Sequence, residues 1–80
     1  MRSTLARSVT VWDGHPTQGR GIGTYDGCDA AMIVAWYLAR DWEVVGERVY
    51  IDLPTRRLYT ETVIRRSGLT LTVQGWSARR

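Results

Sequence analysis

The segment Leu58–Val73 constrains the fold more than any other part of the chain. Leu58, Thr60, Thr62 and Ile64 alternate with Tyr59, Glu61, Val63 and Arg65. Ser67-Gly68 then interrupts the pattern, and Leu69, Leu71 and Val73 alternate with Thr70, Thr72, Gln74 and Trp76. A period of two marks half-buried strands, and a Gly-containing two-residue break between such runs marks a hairpin. With Ser67-Gly68 as the turn, Arg66 faces Leu69, Ile64 faces Leu71 and Tyr59 faces Trp76. A third run, Val49, Ile51 and Leu53, precedes the turn cluster Pro54-Thr55-Arg56-Arg57. Taking those four residues as the loop sets Leu53 opposite Leu58 and Ile51 opposite Thr60. Both registers place Val49, Ile51, Leu53, Leu58, Thr60, Thr62, Ile64, Leu69, Leu71 and Val73 on one inner face, and a one-residue slip would break that agreement. Trp42 to Val45 adds a short lead-in strand.

The N-terminal half is less regular. Leu5, Val9 and Val11 fall on one face of a strand, with Thr4, Ser8, Thr10 and Trp12 on the other. Asp13-Gly14-His15-Pro16 is a turn. Gly19 to Tyr25 is either a thin second strand pairing back on the first or an extended loop, since glycines weaken a strand. Asp26 is the expected N-cap of a helix that runs from Ala30 to Arg40, with Asp29 near its positive end. Its apolar stripe is Ala30, Ile33, Val34, Tyr37 and Leu38, widened by Met32, Trp36 and Ala39. The expectation is an α+β fold: one helix packed on an antiparallel sheet, in the order β-(β)-α-β-β-β, as a single domain over residues 1–80.

Composition narrows the function classes. One Cys cannot make an intrachain disulfide, and one Cys with one His does not close a tetrahedral zinc site, so neither staple is expected. No metal or other cofactor is expected. An 80-residue chain without a staple buries a modest core, which gives weight to a partner, whether a second copy or a larger assembly. The longest apolar run, Ala30 to Ala39, is about half of a membrane span. Met1 to Thr4 leads into alternating polar residues rather than an apolar signal core, so a cytoplasmic protein is expected. All basic residues are Arg, and Lys, Asn and Phe are absent, which reads first as the bias of a GC-rich genome.

Catalytic patterns are weak. Gly19-Arg20-Gly21-Ile22-Gly23 precedes a helix, but the dinucleotide spacing fails at Thr24, and a P-loop needs a Lys. Cys28 at the helix start, His15, and Asp13 or Asp26 make a conceivable nucleophilic set with no local signature. Asp52 and Glu61 share an outer face, but nothing in the sequence marks them as a glycosidase-type pair. No enzyme is expected.

Charge is more informative. Residues 1–47 hold four Arg and six acids, net −2; residues 48–80 hold seven Arg and two acids, net +5. The outer face of the meander is expected to show Arg48, Tyr50, Tyr59, Val63, Arg65 and Trp76. Arg56-Arg57 and Arg65-Arg66 stand at its turns, and Arg79-Arg80 follow. Aromatic faces interleaved with guanidinium suit single-stranded nucleic acid; the same residues are the favoured anchors of protein interfaces. A third reading is a sheet whose second face is covered by the N-terminal segment, leaving Arg on the rim.

Size, the helix Asp26–Arg40 followed by the meander Val49–Trp76, and the surface of aromatics and charge resemble the small phage-encoded anti-CRISPR inhibitors of type I surveillance complexes. That group shares no motif, so the resemblance transfers no residue. Many of its members carry acidic surfaces, whereas this chain is basic. The resemblance implies stoichiometric binding to a Cas subunit or occlusion of the target-DNA entry site. The expected function is therefore a non-enzymatic inhibitor or interaction protein, with Tyr50, Tyr59, Arg65 and Trp76 as anchors and Arg56, Arg57 and Arg66 steering. A small nucleic-acid-binding module using the same face is the alternative. A homodimer is a separate expectation, through an open strand edge or through exposed Met32 and Trp36.

Overall fold

The computed structural model describes residues 5–79. The expectations resting on Thr4 and Arg80 lie outside the described residues, as do those on the side chains of Leu5 and Arg79. Five strands and one helix follow in the order β1 (Leu5–Asp13), β2 (Arg20–Asp26), α1 (Ala30–Leu38), β3 (Glu43–Asp52), β4 (Arg57–Arg66) and β5 (Leu69–Arg79). All strands join one antiparallel sheet, in the spatial order β2-β1-β5-β4-β3. The expected α+β class and element order are those of the protein.

The β4–β5 hairpin has the expected register. Arg66 faces Leu69, Ile64 faces Leu71 and Tyr59 faces Trp76. Ser67 and Gly68 both take positive φ, 51° and 81°, as the favoured two-residue hairpin turn requires. The β3–β4 register differs from expectation by two residues: Ile51 faces Leu58 and Asp52 faces Arg57. The loop is therefore Leu53–Arg56. Asp52 accepts a hydrogen bond from the Thr55 hydroxyl, and Arg56 closes the turn at φ 57° while its N–H bonds the Leu53 carbonyl at 3.3 Å. A two-residue shift preserves the faces, so side-chain alternation alone could not detect it.

β1 does not lie over the sheet. It enters the plane between β2 and β5, pairing Val9 with Gly75 and Val11 with Val73. This overturns the reading in which the N-terminal segment covers the second face. β2 is a true strand pairing back on β1, with an irregularity between Val11 and Trp12 that passes over Ile22. β3 runs unbroken from Glu43, with a bulge between Val44 and Gly46, so the lead-in and the third run are one strand.

The helix starts later than its expected cap. Asp26 ends β2, where its carboxylate accepts the Ser8 hydroxyl at 2.9 Å. Gly27 turns the chain at φ 74°, and Asp29, in extended conformation, occupies the N-cap position without a side-chain capping bond. The helix stops at Leu38, short of Arg40, because the chain reverses through Asp41 at φ 69°. Ala30, Ile33, Val34 and Tyr37 pack on a core of Val9, Val11, Ile64, Leu71 and Val73. Gly75 permits this close approach: a Cβ there would lie 2.8 Å from the Ala30 Cβ.

Nine helical residues span about 13 Å. The sheet beneath is about 20 Å across its strand axes, and its longer strands exceed about 30 Å. One short helix therefore covers only the middle of this face. Val49, Ile51, Leu58 and Leu69, all expected inside, occupy the inner side but remain exposed, and Leu53, expected with them, is an exposed loop residue. Leu38 is exposed as well, as are Met32 and Trp36.

Candidate functional site

The register sets three aromatic rings in one row on the face opposite the helix. Trp76 of β5 faces Tyr59 of β4, which faces Tyr50 of β3. The two tyrosine rings stack, with centroids 5.1 Å apart and planes inclined by 7°. The Arg57 guanidinium lies 3.9 Å from the Trp76 ring centroid, and that of Arg48 lies 4.6 Å from the Tyr50 ring. Cation–π contact of this kind orders both partners.

A polar network lies beside the row. Glu61 is buried despite its charge, and its carboxylate accepts from Arg48 at 3.1 Å and from the Tyr50 hydroxyl at 3.0 Å. Gln74 donates to Tyr50 at 3.2 Å and to Glu61 at 3.4 Å, while its own carbonyl accepts the Trp12 indole N–H at 3.2 Å. Arg48 and Tyr50 from β3 and Gln74 from β5 thus close over the carboxylate from the two flanking strands, and these hydrogen bonds compensate for its lost water. Burial pushes the Tyr50 hydroxyl above its ordinary pKa, with the Gln74 donor opposing and the Glu61 carboxylate adding to the rise.

The seven residues expected to form the site fall into two groups. Tyr50, Tyr59, Trp76 and Arg57 share the row, and Arg56 occupies the adjoining loop. Arg65 is on the same face but six residues along β4 from Tyr59, about 20 Å away. It is engaged by Glu43 of β3 at 2.8 Å. Arg66 follows it and points to the helix side. Arg65 and Arg66 therefore belong to the hairpin end rather than to the aromatic row.

The open face is also less basic than the chain halves suggest. Glu61 neutralises Arg48, and Glu43 neutralises Arg65. Glu43 counts with the acidic half of the sequence, but antiparallel pairing brings it here. Among the described residues, Arg56, Arg57 and Arg66 make no ion pair with a carboxylate. Gln74 and Trp12 are absent from the expected site. Their outward parity in β5 and β1 is readable in the sequence, but their adjacency depends on β1 lying beside β5.

The weaker chemical candidates do not assemble. His15 bonds Thr17 at 2.8 Å in the β1–β2 loop, whereas Cys28 follows the far end of β2, beyond the Ser8–Asp26 pair. Most of the length of β1 separates them, about 15–20 Å. Asp52 faces Arg57 and Glu61 faces Arg48, so those carboxylates do not pair with each other. Gly21 and Gly23 are strand residues rather than a helix-capping loop. Among the described residues, no three His, Cys, Asp or Glu side chains are placed to hold a metal, and no helix is long and apolar enough to cross a membrane. Comparisons with protein families, with characterised proteins and with solved structures find no match to this chain.

Proposed function

We propose that the protein acts by stoichiometric binding of a protein partner through the open face of its sheet, without catalysis. The observation that carries this reading is the row Trp76–Tyr59–Tyr50, with the Arg57 guanidinium over the Trp76 ring and a satisfied hydrogen-bond network beside it. Rigid aromatic rings with a flat guanidinium are what a protein interface uses as anchors, because little side-chain entropy remains to be lost. Arg56 and Arg57 favour a partner surface that offers carboxylates near an apolar patch. The compensation of Arg48 and Arg65 by Glu61 and Glu43 weighs against a surface that tracks a phosphate backbone, which needs uncompensated cations along its path. The resemblance to anti-CRISPR inhibitors makes a Cas subunit of a surveillance complex the first partner to try.

The test pairs capture with salt dependence. Wild-type protein and Trp76→Ala are each immobilised and exposed to candidate Cas subunits, and both are titrated against single- and double-stranded DNA and RNA at low salt. A protein captured by the wild type and lost with Trp76→Ala, with binding that changes little with salt, supports the reading. A nucleic-acid shift at micromolar protein that weakens steeply with salt establishes the nucleic-acid module instead.

A further inference from the structure

We infer that β3 is the interface with a second copy of this chain, pairing antiparallel to its twin about a two-fold axis through Tyr50. This concerns the strand edge and does not depend on the open-face reading, although Tyr50 belongs to both. β3 is an edge strand, and alternate residues of an edge turn their backbone N–H and C=O groups away from the sheet. Its straight portion, Glu47–Asp52, begins after the bulge at Val44/Gly46 and contains neither Pro nor Gly. The opposite edge, β2, is glycine-interrupted and irregular.

The apolar residues on the helix-side flank of β3 and at its end are left uncovered. Val49 is 65% exposed, Ile51 62% and Leu53 79%. Val49, with Glu47, borders an open groove of 390 Å³ between the strand and Ala31, Ala35 and Leu38 of α1. An antiparallel pair related by an axis perpendicular to the sheet keeps both helices on one side. Each side chain then meets a residue of the same face, so the axis must pass through a residue.

Charge selects which residue. With the axis at Arg48, two arginines meet directly. With the axis at Val49, Arg48 meets Tyr50 and Asp52 meets Gly46. With the axis at Ile51, Asp52 meets Tyr50 and Arg48 meets Pro54. Only with the axis at Tyr50 does Arg48 of each copy meet Asp52 of the other, giving two opposite-charge pairs. The same register sets Val49 against Ile51 twice on the apolar flank and brings the two Tyr50 side chains together on the open face. Cross-strand pairs of these kinds stabilise antiparallel ladders, and like charges opposite one another destabilise them. Leu53 of each copy is carried beside Glu47, at the mouth of the other copy's groove. The product is a ten-stranded sheet in which the two aromatic rows run into one another.

The experiment uses the full chain in a Cys28→Ser background. Sedimentation across a concentration series reaching the millimolar range is expected to show a species of twice 9.1 kDa, and Val49→Lys is expected to return it to the monomer with an unchanged circular dichroism spectrum. Register is read by mixing Val49→Cys protein with Ile51→Cys protein under mild oxidation. Disulfide between the two variants, with little between identical ones, is expected. A monomer at every concentration overturns the inference, as does a dimer that survives Val49→Lys. Disulfide of Val49→Cys with itself, or of Ile51→Cys with itself, overturns the register. If Val49→Lys fails to fold, Ile51→Lys replaces it and the cross-linking pattern decides. Trp76→Ala leaves the dimer intact, so failure of the open-face reading and failure of this one are separable.

Discussion

Gly75 lets the helix come close to the sheet, and it offers a sharp perturbation. A Cβ added there sits 2.8 Å from the Ala30 Cβ and 3.1 Å from the Thr60 hydroxyl. Carbon atoms rest at about 3.5–4.0 Å, so α1 must retreat by about 1 Å or tilt. Thr60 can rotate away, but Ala30 is part of the first helical turn and has no rotamer to change. Gly75→Ala is therefore expected to destabilise by about 1–3 kcal/mol, the usual cost of overpacking, even though Ala suits a strand at least as well as Gly. In a domain of this size that lowers Tm by about 4–8 °C per kcal/mol. Ala30→Gly alone costs about 0.5–1 kcal/mol through backbone entropy. The double variant, Gly75→Ala with Ala30→Gly, is expected to be more stable than the sum of the two, with a coupling energy of about 1–2 kcal/mol. Thermal and urea unfolding of the four proteins close the cycle. A Gly75→Ala protein as stable as the wild type, or a cycle with no coupling, would contradict the close helix–sheet approach.

Other perturbations test the core and the open face. Ile64 is fully buried in the core, and Ile64→Ala is expected to lose about 2–5 kcal/mol, enough to shift most of the urea transition of so small a domain. Glu61→Leu removes the acceptor shared by Arg48 and Tyr50 and is expected to cost about 1–3 kcal/mol, while Glu61→Gln, which keeps one acceptor oxygen, costs less in the same urea assay. Burial raises the hydroxyls of Tyr50 and Tyr37 above their ordinary value of 10.0, with Tyr25 adding to the rise at Tyr37. The unfolded chain therefore gives up these protons first. The stability that depends on the neutral phenols is complete below about pH 10 and falls as pH climbs toward the folded-state values. Phenolate absorbance should show two tyrosines titrating late, and Tyr50→Phe should remove one of them. Where a partner is in hand, Tyr59→Ala and Arg57→Ala are each expected to weaken binding about 10-fold or more, with Arg65→Ala nearly neutral by titration calorimetry.

Local patterning settled β4, β5, their faces and the turn between them, but left β2 open between strand and loop and split β3 into two pieces. A strand places successive side chains on opposite sides, and Ser67-Gly68 accepts the positive φ that its turn needs, so alternation from Leu58 to Trp76 left one consistent hairpin. The shared face of Tyr50, Tyr59 and Trp76 follows from that parity and is legible in the residues alone. The β3–β4 loop is not, because Leu53–Arg56 and Pro54–Arg57 leave the same side chains on the same faces. The distinction lies in the Asp52–Thr55 hydrogen bond and the φ of Arg56.

Tertiary packing alone set the place of β1 and the extent of burial. A strand's sequence does not say which neighbour completes its hydrogen bonds, and β1 takes β5 on one side and β2 on the other. That choice makes Gly75 the floor beneath the helix, brings Trp12 to Gln74 and leaves the aromatic row open. Periodicity likewise marks which side of a strand is apolar, but not whether anything covers it. A nine-residue helix cannot roof five strands, so Val49 and Ile51 face inward and yet remain at the surface.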